Sequence, residues 1–246
     1  MKRLLLLFLC SPVLFLIMLR AQSPAPQPSH DDMPPGMKMD SADSSMSMHE
    51  MHHSGHMHMT ALRPVQPGDQ KRADDIAATA KEVMAKYADY KVAEADGFKP
   101  FFPNFKQPMY HFSNRQYAIE AERHFNPEHP TSLLYEKAGD GYRLIGVMYT
   151  APYRFTEDEL NERVPLSIAQ WHFHSNLCVA PMSQWRASLK PHPQFGLNGS
   201  ITTEDACKAA GGTFHDHVLN WMVHVYPNES DPSKVWSAER GMGDMH

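Results

Sequence analysis

Histidine and methionine supply most of the chemistry available to this chain, with 16 His and 17 Met among 246 residues. One cluster lies in Gln170-Trp171-His172-Phe173-His174. Side chains alternate across a strand, so His172 and His174 would share one face and Trp171 and Phe173 the other. An H-x-H pair on a strand offers two imidazole nitrogens to a single ion. His224, within Trp221-Met222-Val223-His224-Val225-Tyr226, alternates against Trp221, Val223 and Val225, and His111 alternates between Tyr110 and Phe112. If these strands are neighbours in one sheet, His111, His172, His174 and His224 converge, and three imidazoles around an open position suit zinc or copper. The competing reading leaves the same histidines on a solvated sheet face, or as hydrogen-bonded core residues. His215 and His217 form a second H-x-H, whereas His124, His129 and His192 fall in loops and read as surface residues.

The second concentration runs from His30 to Met59, where 30 residues hold six His and eight Met but no Leu, Ile, Val, Phe, Tyr or Trp. Such a segment buries too little apolar surface to offset its chain entropy and is expected to be disordered when unliganded. Its ligands are closely set. Met37 and Met39, Met46 and Met48, and Met57 and Met59 each place two thioethers two residues apart, with His49, Met51, His52, His53, His56 and His58 between or beside them. Thioether sulfur selects Cu(I) and similar soft ions, and imidazole extends the range to Cu(II), Zn and Ni. In composition the segment resembles the Met/His-rich segments of bacterial periplasmic copper- and silver-handling proteins. That resemblance implies metal capture.

Other chemistries have little support. The chain has no Gly-rich phosphate loop, no G-x-S-x-G and no H-E-x-x-H. The net charge of −5 becomes −8 if Lys2, Arg3 and Arg20 leave with an export signal, and no basic run remains. Nucleic acid is therefore not an expected partner, because phosphate binding needs clustered Lys and Arg. The aromatics Phe101, Phe102, Phe105 and Trp185 read as core or lid packing.

The elements that must position these residues begin behind an export signal. Lys2 and Arg3 precede an apolar run from Leu4 to Leu19 that Pro12 interrupts, with cleavage expected near Ala21. No stable membrane span is expected after cleavage. Residues 22–68 form the tail and linker, and 231–246 an irregular end. The expected fold is α+β: a single domain over residues 69–230, with a mainly antiparallel sheet of about six strands packed by one long N-terminal helix. Asp69 is placed to cap that helix, which runs to about Ala95 on an apolar stripe of Ile76, Ala80, Val83, Met84 and Tyr87. Ser132–Lys137 and Tyr142–Thr150 flank Ala138-Gly139-Asp140-Gly141 as a hairpin. Thr156 with Glu159 forms a capping box, and Thr202 with Asp205 starts a later helix. Met109–Ser113, Leu166–Leu177, Thr213–His217 and Asn220–Tyr226 are the remaining strand candidates. In an oxidising compartment Cys178 and Cys207 are expected to pair; the alternative makes Cys178, four residues after His174, a copper thiolate.

Four stretches carry a further resemblance: Glu94-Ala95-Asp96-Gly97, Tyr110-His111-Phe112, Pro130-Thr131-Ser132-Leu133-Leu134-Tyr135-Glu136 and Leu144-Ile145-Gly146-Val147. On these, residues 90–151 resemble an uncharacterised family of exported bacterial proteins, which implies an exported, compact domain and no particular activity. Taken together, these features lead to an expectation of a periplasmic or secreted protein that captures copper or silver for tolerance or delivery. Copper is the expected metal and zinc a second choice, with a periplasmic metal-handling protein as the expected macromolecular partner. The alternatives are a metal-dependent enzyme with a His-rich centre, and a small-ligand-binding domain whose histidines are structural.

Overall fold

Period-two alternation of apolar side chains is strongest around the hairpin, around His172 and around His224, and each of these segments is a strand. A computed structural model describes residues 55–104, 106–189 and 193–238. The expected signal segment, and Met37, Met39, Met46, Met48, His49, Met51, His52 and His53, lie outside the described residues. The described chain forms β1 (Met57–Met59), α1 (Asp69–Lys86), α2 (Tyr90–Ala95), β2 (Lys99–Pro100), β3 (Tyr110–Ser113) and α3 (Arg115–Ala121), then β4 (Ser132–Ala138) and β5 (Gly141–Ala151). After these come α4 (Glu157–Arg163), β6 (His172–Val179), a 3-10 turn (Met182–Leu189), α5 (Glu204–Ala209), β7 (Thr213–Val225) and a last 3-10 turn (Pro232–Lys234).

The class is α+β. Seven strands form one antiparallel sheet in the order β1-β6-β7-β5-β4-β3-β2. One face of the sheet carries Tyr110, Phe112, Leu133, Tyr135, Val147, Tyr149, Trp171, Phe173, Val223 and Val225. These share a buried cluster with Ala73, Ile76, Ala80, Val83 and Met84 of α1. Among the described residues no helix is long and apolar enough to cross a membrane.

Several boundaries differ from expectation. Residues 55–59 are not disordered tail: Met57–Met59 is an edge strand paired with His172–His174, the Thr60 amide donates to the Trp171 carbonyl, and the Trp171 amide donates to the Thr60 hydroxyl. Backbone pairing needs no apolar side chain, so a composition-based boundary at residue 69 passes over it. The helix expected from 69 to 95 is two helices. The Tyr87 carbonyl is taken by the Tyr135 hydroxyl, and Asp89 caps α2 by accepting from the Lys91 amide. Gly68 is the N-cap of α1, while the Asp69 carboxylate accepts from the Gln66 amide and the Ser167 hydroxyl. Thr203, one residue beyond the expected cap, accepts from the Ala206 amide at the start of α5. The capping box of Thr156 and Glu159 is present.

β6 starts at His172, because Pro165–Ala169 is a hydrogen-bonded turn. The last two strand candidates are one strand, β7, bent at Leu219 with φ 67°. Residues 231–238 belong to the domain, since the Tyr226 amide donates to Val235 and Trp236 is buried in the core. Phe101, Phe102 and Trp185 are exposed and not core. Cys178 and Cys207 are disulfide-bonded, their Cα atoms 5.6 Å apart, and both side chains are fully enclosed. That removes Cys178 as a thiolate ligand.

Candidate metal centre

The face of the sheet opposite the main core is where the histidines lie. His172 and His174 of β6 point there, while Trp171 and Phe173 are buried on the other side. Register places a methionine directly across from three of the four histidines. Met59 and Met222 oppose His172 on its two flanks, Met57 opposes His174, and Met148 opposes His224. Directly opposed residues of an antiparallel pair share a face, with Cβ atoms about 4.5–5.5 Å apart. His111, on β3, opposes Leu134. Met109, Leu134, Met148, Met222 and Tyr226 form a second buried apolar cluster on this face.

The four imidazoles converge. Ring centroids are 5.0 Å apart for His172 and His224, 5.8 Å for His111 and His224, and 6.2 Å for His172 and His174. Two strands separate β3 from β7, so on a flat sheet His111 and His224 would stand about 14 Å apart. Their contact means that this face is concave. Gly146 makes room in the curve: a Cβ there would lie 2.5 Å from Cδ1 of Tyr226 and 2.7 Å from the Val225 carbonyl oxygen. The Tyr226 ring takes that space. Its hydroxyl donates to Sδ of Met109 at 3.6 Å and lies 3.4 Å from Nδ1 of His224. With the O–H turned to sulfur, the phenol oxygen can accept from Nδ1–H. That is the tautomer that leaves Nε2 of His224 bare.

Burial sets the charge of the cluster. It pulls His172 down to about 3 and His111 down to about 4, with smaller contributions from neighbouring imidazoles. It also lowers His224 far below the ordinary imidazole value, and lowers His174. His111 and His174 keep some exposure because they line a cavity, whereas His172 and His224 are closed off. All four are neutral at physiological pH, the form in which imidazole binds metals. Among the described residues, Nδ1 of His172 and Nε2 of His224 are enclosed polar atoms without a hydrogen-bond partner, as is Nε1 of Trp171 in the other layer. Leaving a buried polar group unpaired costs roughly 1–3 kcal/mol.

Two imidazoles on one ion at about 2.0–2.1 Å per nitrogen have ring centroids roughly 5–6 Å apart. The His172–His224 and His111–His224 spacings fall in that range, and the His172–His174 spacing lies just above it. Even so, among the described residues no group of three or more His, Cys, Asp or Glu side chains is arranged to hold a metal ion as it stands. Any site on this face therefore draws on the opposed thioethers or on rotation of the rings.

The tail residues divide. Met57 and Met59 face the histidine cluster, but His56 and His58 do not join it. Nδ1 of His56 lies 3.0 Å from the Asn176 carbonyl oxygen and Nε2 lies 2.5 Å from that of Gly199. His58 stacks on Phe173 at 4.8 Å on the far face. His217 stacks on Tyr153 at 4.0 Å, and His129 and His124 pair with Glu120. Met109, Met148, Met222, Gly146 and Tyr226 were not among the residues the sequence pointed to, although Met222 stands two residues before His224 and so on its face. No family model, curated protein or solved structure matches this chain.

Proposed function

We propose that this exported protein captures soft metal ions, copper or silver, for tolerance or for delivery to a periplasmic partner. The segment His30–Met59 is one ligand-rich region and the concave sheet face is another. The observation that carries the reading is the set of cross-strand His–Met pairs: Met59 and Met222 against His172, Met57 against His174, and Met148 against His224, on a face where all four imidazoles converge. Neutral imidazole with thioether is a ligand set for Cu(I) and Ag(I), and a poor one for Mg or Ca. Copper is the preferred ion, with zinc second. The Cys178–Cys207 disulfide fits an oxidising compartment such as the periplasm or the cell exterior.

The test is metal analysis of a shortened chain. The truncation must begin at Gly55, so that β1 and its two methionines remain. Purified from copper- and zinc-supplemented cells, this chain is expected to retain about one copper per molecule. The double variant His172→Leu/His224→Leu should lose the ion while keeping its circular dichroism spectrum. Absence of metal from the truncated chain would confine metal capture to residues before 55. A second reading, a metal-dependent enzyme, draws on one observation: His111 and His174 border a cavity, so an ion held by them would be within reach of a small molecule.

A further inference from the structure

Beside the histidine cluster lies a cavity of about 330 Å³, within the size range of small-molecule sites. Its floor comes from the sheet face, with Met148, Met222, His111 and His174, and its walls include Phe101, Phe102, Leu197 and Leu219. Among the described residues no Asp, Glu, Lys or Arg contributes to the lining. The hydroxyl and amide groups present are mostly engaged with protein. Ser113 and Ser132 pair with each other at 2.7 Å, Thr131 donates to the Met148 carbonyl at 3.0 Å, and Gln107 donates to the Phe101 and Phe102 carbonyls. The imidazole of His111, the His174 imidazole, which also hydrogen-bonds the His56 backbone, and the Thr150 hydroxyl are the polar groups that can meet a ligand from the sheet side.

The apolar wall is held in place at some conformational cost. Phe102 has φ 50° and Leu219 has φ 67°, a left-handed region that large side chains rarely adopt. At Leu219 the bend in β7 breaks alternation. Leu219 and Asn220, adjacent in sequence, both line the cavity together with Met222. A bulge of this kind re-aims a side chain. Phe101, Phe102, Leu197 and Leu219 are all large apolar residues with 39–55% of their surface exposed. The rings of Phe101 and Phe102 lie 4.1 Å apart, centroid to centroid.

From the uncharged lining, the paired phenylalanines, the two thioethers and the two imidazoles, we infer that the cavity binds a neutral aromatic small molecule bearing one hydroxyl group, of the phenol class. The ring lies against Phe101, Phe102 and the sulfur-bearing side chains of Met148 and Met222, contacts that aromatic rings and thioethers both favour. The hydroxyl donates to a ring nitrogen of His174 or His111. A carboxylate or an ammonium would enter without an opposite charge and would lose its hydration uncompensated. This site does not depend on metal, and it goes beyond the metal-capture reading.

The experiment titrates 4-methylphenol into the full chain, stripped of metal by a chelator, using calorimetry and proton–nitrogen NMR. The expected result is saturable 1:1 binding with Kd on the order of 0.1–1 mM, as befits a ligand of eight heavy atoms. Shifts should centre on His111, His174 and Leu219. The charged analogues 4-methylbenzoate and 4-methylbenzylamine should bind roughly tenfold more weakly or worse. Leu219→Asp should weaken 4-methylphenol by roughly tenfold, and Asp tolerates the left-handed backbone better than Leu. Phe102→Asn, at the other left-handed position, should weaken it too and guards against misfolding of the first variant. No saturable binding up to about 10 mM, equal binding of the charged analogues, or shifts that map elsewhere would each overturn the inference. Because metal is absent throughout, neither outcome bears on copper capture.

Discussion

Lowering the pH from 7.5 to 5 in the presence of a chelator tests the buried histidine cluster directly. An unfolded chain carries histidines with pKa about 6.5. In the folded protein burial holds His172 at about 3 and His111 at about 4. A folded value below the unfolded one means that the unfolded state binds more protons across the interval between them. The stabilisation is therefore complete above about pH 6.5 and declines as the pH falls towards 4 and then 3. pH 5 lies about 1.5 units below the unfolded value and above both folded values, so each of these two histidines costs roughly 2 kcal/mol there, giving about 4 kcal/mol together. His224 and His174 are shifted in the same direction and add to the loss. Carboxylates with lowered values, such as Asp69 and Asp96, act mainly below pH 4 and stay out of the window. Against a typical domain stability of about 5–15 kcal/mol the effect is large. Urea unfolding followed by tryptophan fluorescence at pH 7.5, 6.5, 5.5 and 5 should show a falling midpoint, and His172→Leu should remove roughly half of the two-histidine decline. Stability unchanged over this range, or a His172→Leu slope equal to the parent's, would refute the buried neutral cluster.

Replacing Cys178 and Cys207 by alanine should cost roughly 3–4 kcal/mol for a crosslink spanning 29 residues, measured by denaturant melts against the oxidised parent; a loss under about 1 kcal/mol would contradict the role assigned to the bridge. Gly146→Ala pushes a methyl into the Tyr226 ring and the Val225 carbonyl, and should destabilise the domain by about 1–3 kcal/mol in thermal melts while weakening copper retention. A peptide spanning His30–Met59 should bind several Cu(I) or Ag(I) ions. Exchanging its eight methionines for leucine should weaken Cu(I) and spare much of the Cu(II) binding, as read by competition with chromophoric chelators. Equal loss of both ions would deny the thioethers a selective role.

Alternation is a local property, so the sequence alone was sufficient to put His172 with His174, to set His224 against Trp221, Val223 and Val225, and to place His111 between Tyr110 and Phe112 on the opposite face. The hairpin and the capping box were legible for the same reason: each is settled by residues only a few positions apart. Composition likewise marked His30–Met59 as rich in soft ligands, but it could not mark where that segment ends and the sheet begins. β1 joins through backbone hydrogen bonds to β6, more than a hundred residues away, and any sequence can make those bonds. The meeting of His111 with His224 also belongs to tertiary structure alone. It needs β4 and β5 between them to curl, Gly146 to stay bare and Tyr226 to fill the gap. The opposition of Met148 to His224 and of Met222 to His172 depends on strand register, which long-range packing selects. Periodicity can assign a side chain to a face; which other side chains share that face is decided only when the strands are ordered.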